Sequence, residues 1–129
     1  MDTKTKKRKL SFIAGLRKAF VRSTTYFNVM TGATSDKTGP RGGVLFVCAI
    51  CNKAFPKNRC EVDHEDPLTP YHLFQYEMSE KMVLERLFCE ISNLRVLCKD
   101  ICHATHTKNQ RKLRSIAKKK RKNEEKEKI

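Results

Sequence analysis

Two close pairs of cysteines are the residues of this sequence whose types and spacing most directly suggest chemistry. Cys48 and Cys51 are separated by two residues, and Cys98 and Cys102 by three, with a long segment between the pairs. Zn²⁺ takes four tetrahedral ligands, with sulfur at about 2.3 Å, and two short cysteine loops that are distant in sequence can share one ion. The spacing therefore predicts a structural zinc site that clamps the segment between the pairs.

That segment and its flanks carry a family resemblance. The runs CAICNKAF, EVDHEDPL, ERLFCEISNLRVLC and CHATHTK stand in this order within the cysteine frame. They resemble the HNH endonucleases, and most closely the small phage-encoded members in which a zinc knuckle braces a ββα-metal active site. The resemblance covers roughly residues 41 to 110. In the family the second knuckle is usually Cys-x2-Cys, whereas three residues lie between Cys98 and Cys102 here.

The resemblance implies roles for particular residues. His64 is expected to be the general base, since a neutral imidazole can take a proton from water at physiological pH. Asp63, which points to the other side of a strand, and His103 are expected to hold a catalytic Mg²⁺, Mn²⁺ or Ni²⁺ ion. Because of the extra residue in the second knuckle, His106 is the alternative ligand. Asn93 is expected to orient the base through bonds to the backbone.

Two functions from different classes follow. The first is a metal-dependent endonuclease that hydrolyses DNA phosphodiester bonds, by nicking or by double-strand cutting. The alternative is a non-catalytic zinc-containing DNA-binding protein, because four cysteines alone most often mark a structural site. The adjacent Asp63 and His64 distinguish the two, since a binding module has no need of that pair. RNA as a substrate stays open, because nothing in the sequence reads a 2′-hydroxyl.

The charge balance indicates a polyanionic partner. Lys and Arg total 28 against 14 Asp and Glu, giving +14 at pH 7. Such an excess favours double-stranded DNA, because each neutralised phosphate releases counterions. Lys108, Arg111 and Lys112 are the predicted phosphate contacts. A homodimer and a phage packaging partner are left open as further partners.

The chain shows no apolar run long enough for a spanning helix and no export signal. The close cysteine pairs have metal spacing, which favours a reducing compartment over disulfides. We therefore expect no membrane association and a cytoplasmic location, inside a phage-infected bacterial host. Cys60 and Cys89, outside the pairs, are interpreted as small buried apolar residues.

The organisation predicted from the sequence is a small α+β fold with a ββα-metal (His-Me finger) core, a four-cysteine zinc site, an N-terminal helix and basic tails. Its segments are a basic disordered tail over residues 1–10, an amphipathic helix and Gly-rich linker over 11–43, a zinc-braced HNH nuclease domain over 44–120, and a charged frayed tail over 121–129.

Hydrophobic periodicity and breaker residues predict the individual elements. Alternation predicts a strand over residues 60–64 and a second one over 94–98, paired as a hairpin. The run VLFVC predicts a strand that leads into the first knuckle. Helices are predicted over residues 70–88, after Thr69 and Pro70, and from Ile101 to about Lys120.

Overall fold

A computed structural model describes residues 1–128, over which the chain forms a small α+β fold, and the predicted class is confirmed. Ile129, the end of the predicted charged tail, lies outside the described residues. None of the helices in the described range is long and apolar enough to cross a membrane. The helices are α1 Thr3–Val21, α2 Thr24–Gly32, α3 Glu80–Leu87 and α4 Ala104–Glu127, and the strands are β1 Thr34–Thr38, β2 Val44–Val47, β3 Ala54–Pro56, β4 Cys60–His64 and β5 Leu94–Cys98.

The strands form two antiparallel sheets. One has the order β1, β2, β3, and the turn from β2 to β3 contains the first cysteine pair. The other consists of β4 and β5, which pair from Cys60 opposite Cys98 to His64 opposite Leu94. Both strands of this pair have the predicted bounds. Because opposed residues of antiparallel strands share a face, Val62 and Val96 lie on one side, and Asp63 and Arg95 lie on the other.

The main apolar core lies between the helices and one face of the β4–β5 pair. Its buried members share a branched aliphatic, aromatic or sulfur-containing side chain, and they are Ile13, Phe20, Val29, Met30, Cys60, Leu68, Met78, Val83, Leu87, Leu94 and Val96. A second, smaller cluster contains Leu97 and three cysteines, Cys48, Cys98 and Cys102. Cys60 is buried as predicted, and Cys89 is half-buried against the main core.

The N-terminal helix begins earlier than the sequence predicts. α1 starts at Thr3, and the Asp2 carboxylate accepts a hydrogen bond from the Thr5 amide at 2.7 Å. Lys9 Nζ donates to the carbonyls of Tyr76 and Met78 at 3.0 and 3.3 Å. The prediction of a disordered tail over residues 1–10 is therefore wrong, because a cap and these contacts stabilise the first turns of the helix. The predicted linker within 11–43 likewise contains α2 and β1.

The helix predicted over residues 70–88 is confined to its last part. α3 starts at Glu80, where Ser79 Oγ accepts from the Met82 amide at 3.1 Å. Backbone carbonyls in the segment before α3 accept hydrogen bonds from α4 side chains instead of from helix amides. Arg114 donates to the Thr69 and Pro70 carbonyls, both at 3.2 Å.

α4 also extends beyond its predicted end, through Glu127. Arg121 donates to the His72 carbonyl at 3.0 Å and forms two bonds to the Glu77 carboxylate at 2.7 and 2.8 Å. These contacts lie in the stretch predicted to fray, and they tie it to the loop between β4 and α3. The described part of the predicted tail, residues 121–128, is therefore helical up to Glu127.

Candidate metal centre and cleft

The two cysteine pairs meet in space. The sulfurs of Cys48, Cys51, Cys98 and Cys102 all lie within 4.8 Å of one another. Sulfur ligands at about 2.3 Å from a tetrahedral zinc are roughly 3.8 Å apart, so this cluster can hold such an ion. The exposed fraction of Cys48 is 0% and that of Cys98 is 2%, Cys102 is also buried, and Cys51 is half-buried. The predicted cysteine set is thus close enough to hold a structural metal such as zinc.

Local backbone geometry brings each pair together. In the first pair the turn closes through the Asn52 amide, which donates to the Cys48 carbonyl at 2.9 Å, and Asn52 adopts a φ of 59°. Asparagine tolerates this left-handed conformation better than most residues. In the second pair a π-helical turn spans Lys99–His103, and the Cys102 amide lies 3.4 Å from Cys98 Sγ. The wider turn accommodates the extra residue of the second knuckle.

The charge balance of the sulfur cluster also points to a cation. Burial raises the pKa of the Cys48 thiol, but the amides of Cys51, Cys98 and Ile50 outweigh burial and bring that pKa down to about 6. Burial raises the pKa of Cys102 to about 12, with hydrogen bonds to the neighbouring cysteines acting in the same direction. Ionisation of one thiol therefore disfavours ionisation of its neighbours in the cluster. A bound divalent ion offsets this repulsion and allows all four sulfurs to be thiolates.

Asp63 is a buried carboxylate on the β4 face opposite the main core. Its exposed fraction is 7%. Its Oδ2 accepts from Arg95 Nε at 3.2 Å and lies 3.3 Å from His106 Nε2. Two ligands at right angles on an ion about 2.1 Å away are roughly 3.0 Å apart. The carboxylate and imidazole therefore have a separation that suits shared coordination of one small divalent ion.

The structure brings His106 to Asp63, whereas the sequence prediction favoured His103. His103 Nε2 lies 3.8 Å from Glu61 Oε2. Glu61 also lies 3.6 Å from Lys99 Nζ. The π-helical turn explains the difference, because it ends at His103 and leaves His106 on the first turn of α4. The alternative ligand of the sequence prediction is the one in contact.

His64 ends β4 on the face of the main core. Its Nε2 lies 2.9 Å from the Leu87 carbonyl, and its ring centroid lies 5.1 Å from that of Phe20. Because a carbonyl oxygen only accepts, Nε2 must carry the hydrogen, and the neutral ring then has its free lone pair on Nδ1. The contacts thus fix both the orientation and the tautomer of the imidazole, and they leave one nitrogen able to accept a proton.

Asn93 joins the chain that follows His64 to the start of β5. Its Oδ1 accepts from the Asp66 amide at 2.7 Å, and its Nδ2 donates to the Asp66 carbonyl at 3.1 Å. Its own carbonyl accepts from the Glu65 amide at 2.9 Å. These bonds are side-chain to backbone contacts of the kind the sequence predicts for Asn93, and they restrain the segment immediately after His64.

A cleft of about 1080 Å³ opens beside the end of β4. Its acidic and imidazole residues are Glu61, Asp63, His64 and His103. Its basic residues are Arg17, Lys57, Lys99, Arg114 and Lys118. His103 therefore faces the cleft although His106 contacts Asp63. An acidic centre surrounded by cations suits a polyanion whose charge is locally offset by a metal ion.

The structure separates the predicted DNA contacts from this cleft. Lys108, Arg111 and Lys112 are exposed on α4. The residues of α4 that line the cleft are Thr107, Gln110, Arg114 and Lys118, which recur at helical spacing. The sequence prediction also missed Arg17. Its signal was available, because Arg17 precedes the core residue Phe20 by three positions and so shares its side of α1.

Comparisons of this chain with models of protein families, with curated proteins and with solved structures found no match. The chemistry of the site therefore follows from its own residues. The four sulfurs can hold a structural metal, Asp63 lies 3.3 Å from His106, and His64, on the other face of β4, has one nitrogen able to accept a proton.

Proposed function

We propose that this protein is a metal-dependent HNH endonuclease that hydrolyses DNA phosphodiester bonds. One observation carries the proposal: Asp63, 3.3 Å from His106, and His64, held by the Leu87 carbonyl, are adjacent residues that line one cleft. A divalent-ion site and a neutral imidazole with a free nitrogen are the two groups that phosphodiester hydrolysis needs most.

His64 acts as the general base. A water molecule loses a proton to Nδ1, and its oxygen attacks phosphorus while the bond from phosphorus to the 3′ oxygen breaks. The leaving 3′ oxygen takes a proton from solvent, and the imidazole returns its proton to solvent. The products are a 5′-phosphate and a 3′-hydroxyl. The Nε2 hydrogen bond to the Leu87 carbonyl strengthens as the ring becomes cationic, because the donor is then charged.

Asp63 and His106 are the residues that would hold the catalytic ion. A Mg²⁺, Mn²⁺ or Ni²⁺ ion held there would offset negative charge on the scissile phosphate and on the leaving oxygen. Arg95, whose Nε lies 3.2 Å from Asp63 Oδ2, orients that carboxylate. With two protein ligands, the site retains open positions for phosphate oxygens and water.

The order and packing of the elements support the assignment to this family. β4 and β5 pair antiparallel, and α4 follows β5 directly through the second cysteine pair. This succession of two strands and a helix is the one expected of a ββα-metal core. The four-cysteine site joins the turn before β3 to the end of β5, so zinc there braces the strands that carry Asp63 and His64.

The test is cleavage of supercoiled plasmid across a series of Mg²⁺, Mn²⁺ and Ni²⁺ concentrations, with zinc quantified in every preparation. We expect the wild type to cut and His64→Ala to be slower by about 10²–10⁴-fold, the usual contribution of a general base. His72→Ala is the matched control, because His72 is exposed and lies outside the cleft.

The same assay separates the two candidate functions. Cleavage by wild type and His72→Ala, and its loss in His64→Ala at unchanged zinc content, supports the endonuclease. A wild-type protein that holds zinc and binds DNA but cuts with none of the metals would contradict it. That result would instead support a non-catalytic zinc-containing DNA-binding protein.

A further inference from the structure

Arg17 extends the cleft to the N-terminal helix. It lines the same cleft as Asp63 and His64. It lies three residues before Phe20, whose ring centroid is 5.1 Å from that of His64. Residues three apart on a helix share a face, with a rise of about 4.5 Å between them. Arg17 is therefore one helical turn from a side chain packed on the proposed base.

Most other cations of the cleft already have partners. Lys99 lies 3.6 Å from a glutamate oxygen, Lys118 lies 3.7 Å from the centroid of an aromatic ring, and Arg114 donates to two loop carbonyls at 3.2 Å. Arg17 and Lys57 differ, because within residues 1–128 no carboxylate or carbonyl pairs with either, and both are exposed. An arginine stays charged in proteins. The guanidinium of Arg17 thus faces the cleft with its donors uncommitted.

A second group in the cleft wall also lacks a partner. Thr69 is buried, with an exposed fraction of 6%, and its Oγ1 has no hydrogen-bond partner within residues 1–128. A buried hydroxyl left without a partner is unfavourable. The guanidinium of Arg17 matches a ligand with several acceptor oxygens, whereas the Thr69 hydroxyl is enclosed within the cleft wall.

We propose that Arg17 binds a backbone phosphate of the DNA held in the cleft, flanking the phosphate that is cut. The inference rests on the proposed function for the identity of the ligand. The planar guanidinium can donate two parallel hydrogen bonds to non-bridging oxygens of one phosphate. α1 holds it in place, because its N-terminal half is bound through Lys9 to the loop carbonyls of Tyr76 and Met78 and its C-terminal half packs through Phe20.

Binding and cleavage together test this role. Affinity for a short DNA duplex is measured in the His64→Ala background, which prevents turnover, with and without Arg17→Ala. We expect Arg17→Ala to weaken binding about tenfold and to lower the slope of log affinity against log salt by about 0.9, the value for one phosphate contact. With His64 intact, KM rises about tenfold and kcat is unchanged, because a flanking phosphate is bound equally in the ground and transition states.

Lys18→Ala is the matched control, since Lys18 is the next residue of α1, is exposed and lies outside the cleft. It removes the same charge and is expected to change affinity at most about twofold. Arg17→Lys is expected to restore part of the affinity. Equal effects of Arg17→Ala and Lys18→Ala, or a fall in kcat at unchanged KM, would overturn the proposal. The binding arm still reports on Arg17 if the wild type does not cut, so failure of the endonuclease assignment is recognised separately.

Discussion

At the scale of single residues, two contacts of Asp63 fall on one carboxylate oxygen. Its Oδ2 is shared by Arg95 and His106, and the side chain is buried. A buried carboxylate needs such partners, because an isolated charge away from water is strongly unfavourable. Under the proposed function, a divalent ion held by Asp63 and His106 would add a further compensating charge to that of Arg95.

Ligand identity at this site can be tested by comparing two histidines. Because His106 Nε2 lies 3.3 Å from Asp63 and His103 Nε2 lies 3.8 Å from Glu61, we expect the two to differ sharply. His106→Ala should weaken Mn²⁺ binding to the zinc-loaded protein about 10²-fold, and His103→Ala should weaken it only a few-fold. Calorimetric titration with Mn²⁺ measures both without relying on activity.

The reverse order of affinities would contradict the assignment and would return His103 to the role implied by the family resemblance. Asn109→Ala serves as the control, since Asn109 is an exposed residue on the same helix. Zinc content measured alongside excludes damage to the cysteine site as the cause.

The residue scale also shows why parts of the site can be predicted and others cannot. Cys48 with Cys51, and Asp63 with His64, are neighbours in sequence, so their spacing alone indicates a shared task. Which histidine contacts Asp63 depends instead on the helical phase after Cys98, that is, on the direction in which each successive side chain points. A π-helical turn shifts that phase. The extra residue between Cys98 and Cys102 signals a change there, but which histidine it brings to Asp63 depends on packing.

At the scale of elements, side chains of α4 hold the loop between β4 and α3 in place. Three of its side chains hold the loop: Arg114 through two carbonyls, Arg121 through Glu77, and Lys118 over the ring of Phe74. The loop in turn forms part of the cleft wall. α4 is thus attached to the loop through the stripe of Arg114, Lys118 and Arg121, while its other basic residues stay exposed.

The ion pair of Glu77 and Arg121 makes the attachment of α4 to this loop sensitive to pH. Hydrogen bonds from Arg121 are the main cause that lowers the pKa of Glu77 to about 2 from its ordinary 4.5. Because the folded state has the lower pKa, the stabilisation is complete above pH 4.5 and is lost as the pH falls toward 2. Glu77→Gln should lower the free energy of unfolding by about 1 kcal/mol at neutral pH.

The measurement is urea denaturation of wild type and Glu77→Gln between neutral and acidic pH. The difference between the two proteins should shrink below pH 4.5. Glu125→Gln is the matched control, because Glu125 pairs with the same arginine through a single contact at 3.3 Å and is exposed. A difference that stays constant with pH would show that the Glu77 ion pair does not contribute.

Elements were predictable where the pattern is local. The alternation within residues 60–64 and 94–98 matches β4 and β5, because each strand has one face on the core. The helix predicted over 70–88 was wrong in its first half. There, side chains of α4 take the carbonyls that a helix would need, and such contacts between distant segments leave no local periodicity.

At the scale of the whole molecule, the buried residues within 1–128 form two clusters, and Phe55 packs against both. The main core joins the helices to one face of the β4–β5 pair, and the second cluster consists of cysteines and Leu97. A chain of 129 residues with 33% charged residues buries limited apolar surface, so folding depends on contributions beyond hydrophobic burial. A metal held by the cysteine cluster would link the three-stranded sheet to the β4–β5 pair.

Metal removal should therefore unfold more than the knuckles. Structural zinc sites contribute about 10–16 kcal/mol of apparent binding free energy, and domains of this size are stable by only about 5–15 kcal/mol. We expect a zinc chelator to abolish the cooperative thermal transition, and added Zn²⁺ to restore it.

Cys98→Ser should reproduce this loss, since Cys98 has an exposed fraction of 2% and contributes one of the four sulfurs. Cys89→Ser, outside the cluster, should keep both the zinc and the transition. A protein that unfolds cooperatively at the same temperature with and without chelator would show that the cluster does not hold a structural metal, and circular dichroism with metal analysis on the same samples decides between these outcomes.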